Sequence, residues 1–167
     1  MTTAGEIRDM LAMQPHPEGG WFAEIHRSKD ELPAAALPPG YDGPRAVSTA
    51  IYYMLEGSAI STMHRLCSDE IFHFYLGDPV EQLWLLPDGS HRTVIIGNDL
   101  SAGQRPQVVV PRNVWQGARM KDGQGFALLG TTVAPGFDFA DFEIGGRDDL
   151  TAGWPGAAAL IHDLTHD

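Results

Sequence analysis

The chain has 167 residues, 43% of them hydrophobic, a formal net charge of −11 and one cysteine. That apolar content suits one ordinary globular core and excludes a disordered chain. The acidic balance opposes binding to phosphate backbones and anionic lipid, so neither nucleic acid nor membrane is an expected partner, and Cys67 alone permits neither an intrachain disulfide nor a thiolate zinc site.

The N-terminus (MTTAGEIRDMLAM) has no basic stretch followed by a long apolar run, and no segment approaches the roughly 18 apolar residues of a membrane span. A cytoplasmic location is the expectation. Thr3 and Glu6 stand at capping-box spacing, and Ile7, Met10 and Leu11 fall on one face of a short helix ended by Pro15 and Pro17. The run His16-Pro17-Glu18-Gly19-Gly20-Trp21 reads as a structured loop whose glycines let the backbone approach another group, with Glu24, His26 and Arg27 on a strand after it. Residues 32–44, rich in proline and glycine, read as a surface connector. From residue 45 onward, strands are expected at 46–55, 59–64, 70–76, 80–86, 91–96, 107–110, 114–120, 126–133 and 139–144, separated by turn signals such as Pro87-Asp88-Gly89. No room remains for crossover helices, so the pattern predicts an antiparallel sandwich or barrel in one domain spanning 1–167, closed by a short helix near 157–164.

Chemistry concentrates in His64, Glu70 and His73, residue types that ligate first-row metals and act as general acids and bases. In a regular strand Glu70 and Phe72 share one face while His73 faces the other way, so Glu70 pairs with His64 and reaches His73 only across a bulge. Trp115, after the Pro111 turn, either caps a cavity or packs in the core. Arg27 either binds an anionic substrate group or lies in a surface salt bridge. Phe137, Phe139 and Phe142 alternate with Asp138, Asp141 and Glu143, as a pocket wall or as packing. Cys67 has no nucleophile signature.

Taken together, PHPEGGWFAEIHRS (15–28), STAIYYML (48–55), HRLCSDEIFHFYLGDP (64–79), QVVVPRNVW (107–115) and LLGTTVAPGFDFADFE (128–143) resemble the cupin superfamily, and within it the cupin-5 family, long described as a domain of unknown function. The resemblance implies an all-β double-stranded β-helix, or jelly roll, usually a homodimer, with its site inside the barrel. His64, Glu70 and Gly77 match the first cupin motif, whose second His position is Leu66 here. In the second motif Pro111 matches, Asn113 replaces a glycine, and Gln116 stands at the metal-binding His position.

Three functions follow. The first is a metal-free enzyme similar to the sugar-nucleotide epimerases, with His64 moving a proton, Glu70 orienting it, Phe72, Trp115, Gln107 and Phe137 at the pocket, and Arg27 or Arg65 meeting a phosphate. The second is a metal-dependent oxygenase or isomerase, with His64 and Glu70 as ligands completed by His73 or Gln116. The third is a non-catalytic protein that binds a small ligand. No cofactor is expected under the first and third, and a divalent metal under the second. The partner in each case is a small molecule.

Overall fold

The computed structural model of the chain describes residues 2–166. Its strands, in chain order, are β1 (Gln14–Pro15), β2 (Trp21–Arg27), β3 (Glu31–Leu32), β4 (Arg45–Ala46), β5 (Thr49–Glu56), β6 (Ile60–Arg65), β7 (Asp69–Gly77), β8 (Val80–Leu85), β9 (His91–Ile96), β10 (Gln107–Val110), β11 (Trp115–Met120), β12 (Phe126–Ala134) and β13 (Glu143–Ile144). The α-helices are α1 (Ala4–Met10), α2 (Arg147–Gly153) and α3 (Ala158–Asp163). No helix is long and apolar enough to cross a membrane.

Two antiparallel sheets, ordered β1-β2-β5-β12-β7-β10 and β13-β6-β11-β8-β9, face each other, and β3 pairs only with β4. The placement of β12 between β5 and β7 is the long-range pairing of a jelly roll, and the two sheets share no strand, so the barrel is open along its sides. Alternation along the strands decides which side chains face in. Tyr53 and Leu55 of β5, Phe72 of β7, Val108 and Val110 of β10, and Ala127 and Leu129 of β12 meet Val80 and Trp84 of β8, Val94 and Ile96 of β9, and Ala118 and Met120 of β11 in one buried cluster. That cluster fills one end of the space between the sheets. At the other end the same inward positions carry Thr49, Ile51, Glu70, Thr131 and Val133, and the space is a cavity.

Helices close the outer faces. Ile7 of α1 covers Met54 and Leu128 of the six-stranded sheet. Leu150, Ala157, Ile161 and Leu164 cover Met63, Leu83, Leu85 and Trp115 of the five-stranded sheet. The expected capping box is present: the Glu6 carboxylate accepts from the Thr3 N–H at 2.8 Å, and the Thr3 hydroxyl accepts from the Glu6 N–H at 3.3 Å. Replacing Thr3 by Ala should cost about 1 kcal/mol, read as a lower urea midpoint with an unchanged slope.

Three sequence expectations change. The strand expected at 139–144 is a 3-10 turn, Phe139–Asp141, followed by the two-residue β13. Asp138 caps the turn by accepting the Ala140 N–H at 2.8 Å, so the alternating Phe and Asp residues anchor a loop and do not line a pleat. The run 46–55 breaks at Val47-Ser48 into β4 and β5, which join different sheets. The helix α2 escapes sequence reading because its N-cap is Gly146, with no side-chain cap, and its burial rests on Leu150.

Candidate functional site

The cavity between the sheets has a volume of about 230 Å³. Its polar groups come from the loop before β2, from β2, β5, β6, β7 and β12, and from Asp138 in the loop after β12. Its apolar wall is Phe22, Phe72 and the loop carrying Phe137, Phe139 and Phe142.

Two bulges place groups that strand parity would separate. Between Glu24 and His26 the β2–β5 register shifts, so Glu24 lies opposite Ile51 and Arg27 opposite Thr49, both inward positions. Arg27 therefore reaches Glu24, donating from Nε at 3.0 Å and Nη2 at 2.8 Å, and its Nη1 donates to the Phe137 carbonyl at 3.0 Å. On β6 the register with β11 shifts between Ala118↔Ser61 and Gln116↔His64, so Ser61 and His64, three residues apart, both face in.

Glu18 joins them. Its backbone carbonyl accepts the Thr62 N–H at 2.8 Å, its Oε1 accepts the Ser61 hydroxyl at 2.9 Å, and its Oε2 lies 3.3 Å from His64 Nε2. This approach requires the glycines beside it: Gly19 has φ 105°, and a Cβ there would stand 2.0 Å from the Ile60 carbonyl oxygen. The Gly19 carbonyl also accepts the Tyr53 hydroxyl at 2.8 Å. Burial, reinforced by Glu18, pushes that phenol well above the ordinary tyrosine range.

The histidine tautomers follow from their neighbours. His64 Nδ1 lies 2.7 Å from the Thr62 carbonyl, which only accepts, so Nδ1 carries the proton and neutral His64 presents its lone pair on Nε2. His16 Nδ1 accepts the Glu18 N–H at 3.2 Å, so neutral His16 carries its proton on Nε2. Burial holds the His16 pKa below the usual imidazole value against the opposing pull of Glu18.

Glu70 sits at the end of a directional chain. The Trp84 indole, which only donates, gives its N–H to Gln82 Oε1 at 2.9 Å. That fixes the Gln82 amide, whose Nε2 donates to Gln116 Oε1 at 2.9 Å; Gln116 Nε2 in turn donates to Glu70 Oε2 at 2.8 Å. Every donor points toward Glu70, an arrangement in which the bonds polarise one another. Burial nevertheless raises the Glu70 pKa to about 7, against the lowering effect of His64, Gln116 and Thr131. A carboxyl raised in the folded state leaves stability intact below its unfolded pKa and loses it as pH rises through the folded one. Chemical denaturation should therefore show a Glu70-dependent loss of stability of a few kcal/mol between about pH 4.5 and 7. Glu70→Gln should remove it, while the His16 effect, of opposite sign, stays in both proteins.

The resemblance to cupins implies a metal, and the donors here do not fit one. The Gln116 oxygen is taken by Gln82, so this residue turns its amide nitrogen, not a ligand atom, toward Glu70. Leu66 stands where a second His would be, and among the described residues no group of three or more His, Cys, Asp and Glu side chains is disposed to hold a metal.

Of the residues picked from sequence, His64, Glu70, Phe72, Arg27 and Phe137 line the cavity, and Gln116 stands behind Glu70. The others lie elsewhere. His73 faces outward, as strand parity predicts, with Nδ1 accepting from Gln107 at 3.2 Å and Nε2 donating to Thr132 at 3.1 Å. Both its nitrogens are thereby engaged outside the cavity, and Gln107 is outside with it. Trp115 packs in the cluster under the C-terminal helices, with the Arg65 guanidinium 4.4 Å from its ring centroid. Arg65 pairs with Glu143 at 2.7 Å on the surface. The 32–44 segment is tied down as a connector, with Tyr41 donating to the Cys67 carbonyl at 2.9 Å and Arg112 to the Pro39 carbonyl at 2.9 Å. Sequence reading does not single out His16, Glu18, Tyr53, Phe22 or Thr131 as site residues. The available signal was the Glu18-Gly19-Gly20 run, because adjacent glycines mark a close backbone approach.

The model of Cupin_5, described as Cupin superfamily (DUF985), matches residues 6–145. A protein of Saccharomyces cerevisiae, YML079W, described as uncharacterized, is 31% identical over 145 residues, spanning 81% of this chain and 72% of the yeast protein. Among solved structures, a hypothetical protein from Leishmania major superposes with a TM-score of 0.88 at 30% identity, over 99% of this chain and 100% of that one. Protein SO0799 from Shewanella oneidensis does so with a TM-score of 0.87 at 33% identity, over 99% of both chains. Oxalate decarboxylase from Bacillus subtilis shares the fold alone, at 12% identity and a TM-score of 0.53, over 90% of this chain and 36% of that one. From residue 6 to residue 145, with the sheets, the cavity and the His64–Glu70 pair all inside that span, the chain belongs to the Cupin_5 family of the cupin superfamily.

Proposed function

We propose that this protein holds one small organic molecule between its sheets and moves a proton on it, in the manner of a metal-free epimerase or isomerase. The observation that carries the reading is the His64–Glu18 couple on the cavity lining: the Nδ1–H of His64 is committed to Thr62, and its Nε2 lies 3.3 Å from Glu18 Oε2, close enough for the two to share a proton. A base needs a fixed tautomer and an anion to stabilise the imidazolium formed on proton uptake, and His64 has both. Glu70, with a pKa of about 7, holds a proton in a substantial fraction of molecules at neutral pH and is the group suited to return one. The balance is simple: a ligand C–H or X–H bond breaks toward His64, a new bond to hydrogen forms at the ligand from Glu70, and the two residues reset through solvent. A cavity of about 230 Å³ holds a reacting unit the size of a monosaccharide, so the nucleotide part of a sugar nucleotide would lie outside.

The test is solvent exchange. Purified protein is incubated in deuterium oxide with small hydroxy-carbonyl, sugar and amine compounds that stabilise it thermally, and deuterium in the recovered compound is measured by mass spectrometry. Catalysed incorporation supports the reading. Stabilisation by a compound that gains no deuterium would assign the protein to ligand binding without catalysis.

A further inference from the structure

The polar floor and the walls of the cavity together select a charge type. The groups on the floor are held as acceptors by partners that donate to them or accept from their far side. Trp84 starts the chain that turns an N–H of Gln116 onto Glu70. Ser61 donates to one oxygen of Glu18 at 2.9 Å. The Thr62 carbonyl takes the Nδ1 proton of His64 and leaves the Nε2 lone pair facing Glu18 Oε2 across 3.3 Å. The remaining lone pairs of the Glu18 and Glu70 side chains are acceptors that a ligand bringing its own N–H donors satisfies.

The lining carboxylates are Glu18, Glu24, Glu70 and Asp138, and Arg27 is the lining Arg or Lys among the described residues. Arg27 is already engaged, with Glu24 taking two of its N–H groups at 2.8 and 3.0 Å and the Phe137 carbonyl a third at 3.0 Å. An anionic ligand would have to displace those bonds and approach the buried acidic side chains of Glu18 and Glu70. The wall offers the complement of a cation. Phe137 and Phe139 meet edge to face with centroids 4.9 Å apart, and Phe142 lies 6.2 and 6.1 Å from them and 5.3 Å from the His64 ring. Aromatic faces attract a desolvated cation through the ring quadrupole.

We propose that the cavity takes a small organic cation, a protonated amine on a compact apolar body, with its ammonium against Glu18 and Glu70 and its body on the Phe137–Phe139–Phe142 wall. This rests on the proposed function only in placing the ligand in the same cavity. It narrows the ligand class away from phosphorylated sugars.

Titration calorimetry with benzylamine, benzyl alcohol and benzoate, nearly equal in size and of different charge, tests it on the full chain. Benzylamine should bind about tenfold or more tighter than benzyl alcohol, and benzoate weakest of the three. Glu18→Gln should abolish most of that preference. Phe139→Ala, at a side chain 54% exposed and remote from the core, should weaken benzylamine severalfold without unfolding the protein. Equal binding of amine and alcohol, or tighter binding of benzoate, overturns the ligand class and leaves the cavity as a binding site. Failure of all three to bind overturns the ligand class together with the reading of the cavity as a small-molecule site.

Discussion

Asp141→Ala is expected to lower the stability of the folded chain by on the order of 3 kcal/mol, the low end of the range for removing one partner of a buried ion pair. Arg45 donates to Asp141 from Nε at 2.7 Å and from Nη2 at 2.6 Å, and both side chains are 5% exposed. Removing the carboxylate leaves the buried guanidinium with the exposed Asp42 and the Pro44 carbonyl as its remaining partners, and the alanine cannot replace either lost bond. The pair lies just beneath the surface, where water can partly relax into the gap, which is why the low end applies. In a domain of this size that loss corresponds to a melting temperature lower by on the order of 10 °C, measurable by calorimetry. The neighbouring pair of Arg45 with Asp42, at 2.6 Å, should matter far less, since the Asp42 side chain is 75% exposed. The functional consequence is specific as well. Asp141 anchors the turn that carries Phe139 and leads into Phe142, so its loss should loosen one cavity wall and weaken ligand binding at temperatures well below the new melting point. A variant as stable as the parent would show that the loop is held by its phenylalanines alone.

His64→Asn should reduce proton exchange on a bound ligand by about 10² to 10⁴, the usual contribution of a positioned general base. Asparagine retains an N–H for the Thr62 carbonyl that now accepts from Nδ1 at 2.7 Å, so the buried backbone group stays satisfied and the fold should survive. What disappears is the imidazole nitrogen beside Glu18. Ligand-induced thermal stabilisation should persist while deuterium incorporation falls. Retention of exchange at the parental rate would remove His64 from the chemistry. Loss of stabilisation together with exchange would mean that the imidazole serves mainly as a contact for the ligand.

Much of the strand content was legible because half-buried strands leave an alternation that survives in one dimension. The same parity correctly separated Glu70 from His73, since the two point to opposite faces of β7 whatever their partners are. The limits appear where local pattern and long-range pairing part. The Phe137 to Glu143 stretch has strand-like alternation, yet Asp141 is claimed by Arg45 from a segment 96 residues away in sequence, and the backbone turns instead. Trp115 follows a turn and looks available for a ligand, but the outer face of its sheet is covered by helices whose docking no local signal announces.

The sequence by itself determined the fold family, the order of the strands along the chain, and the placement of Glu70 and Phe72 on one face of their strand, because motif and periodicity are properties of neighbouring residues. Only the tertiary structure decided the rest. Two bulges turned Arg27 and His64 inward, the glycine pair let Glu18 reach β6, and the donor-only indole of Trp84 oriented two glutamines so that Gln116 serves Glu70 and offers no oxygen to a metal. Each of these depends on where an extra residue falls between paired strands, or on the direction of a hydrogen bond between distant segments, and neither quantity is written in the spacing of residues along the chain.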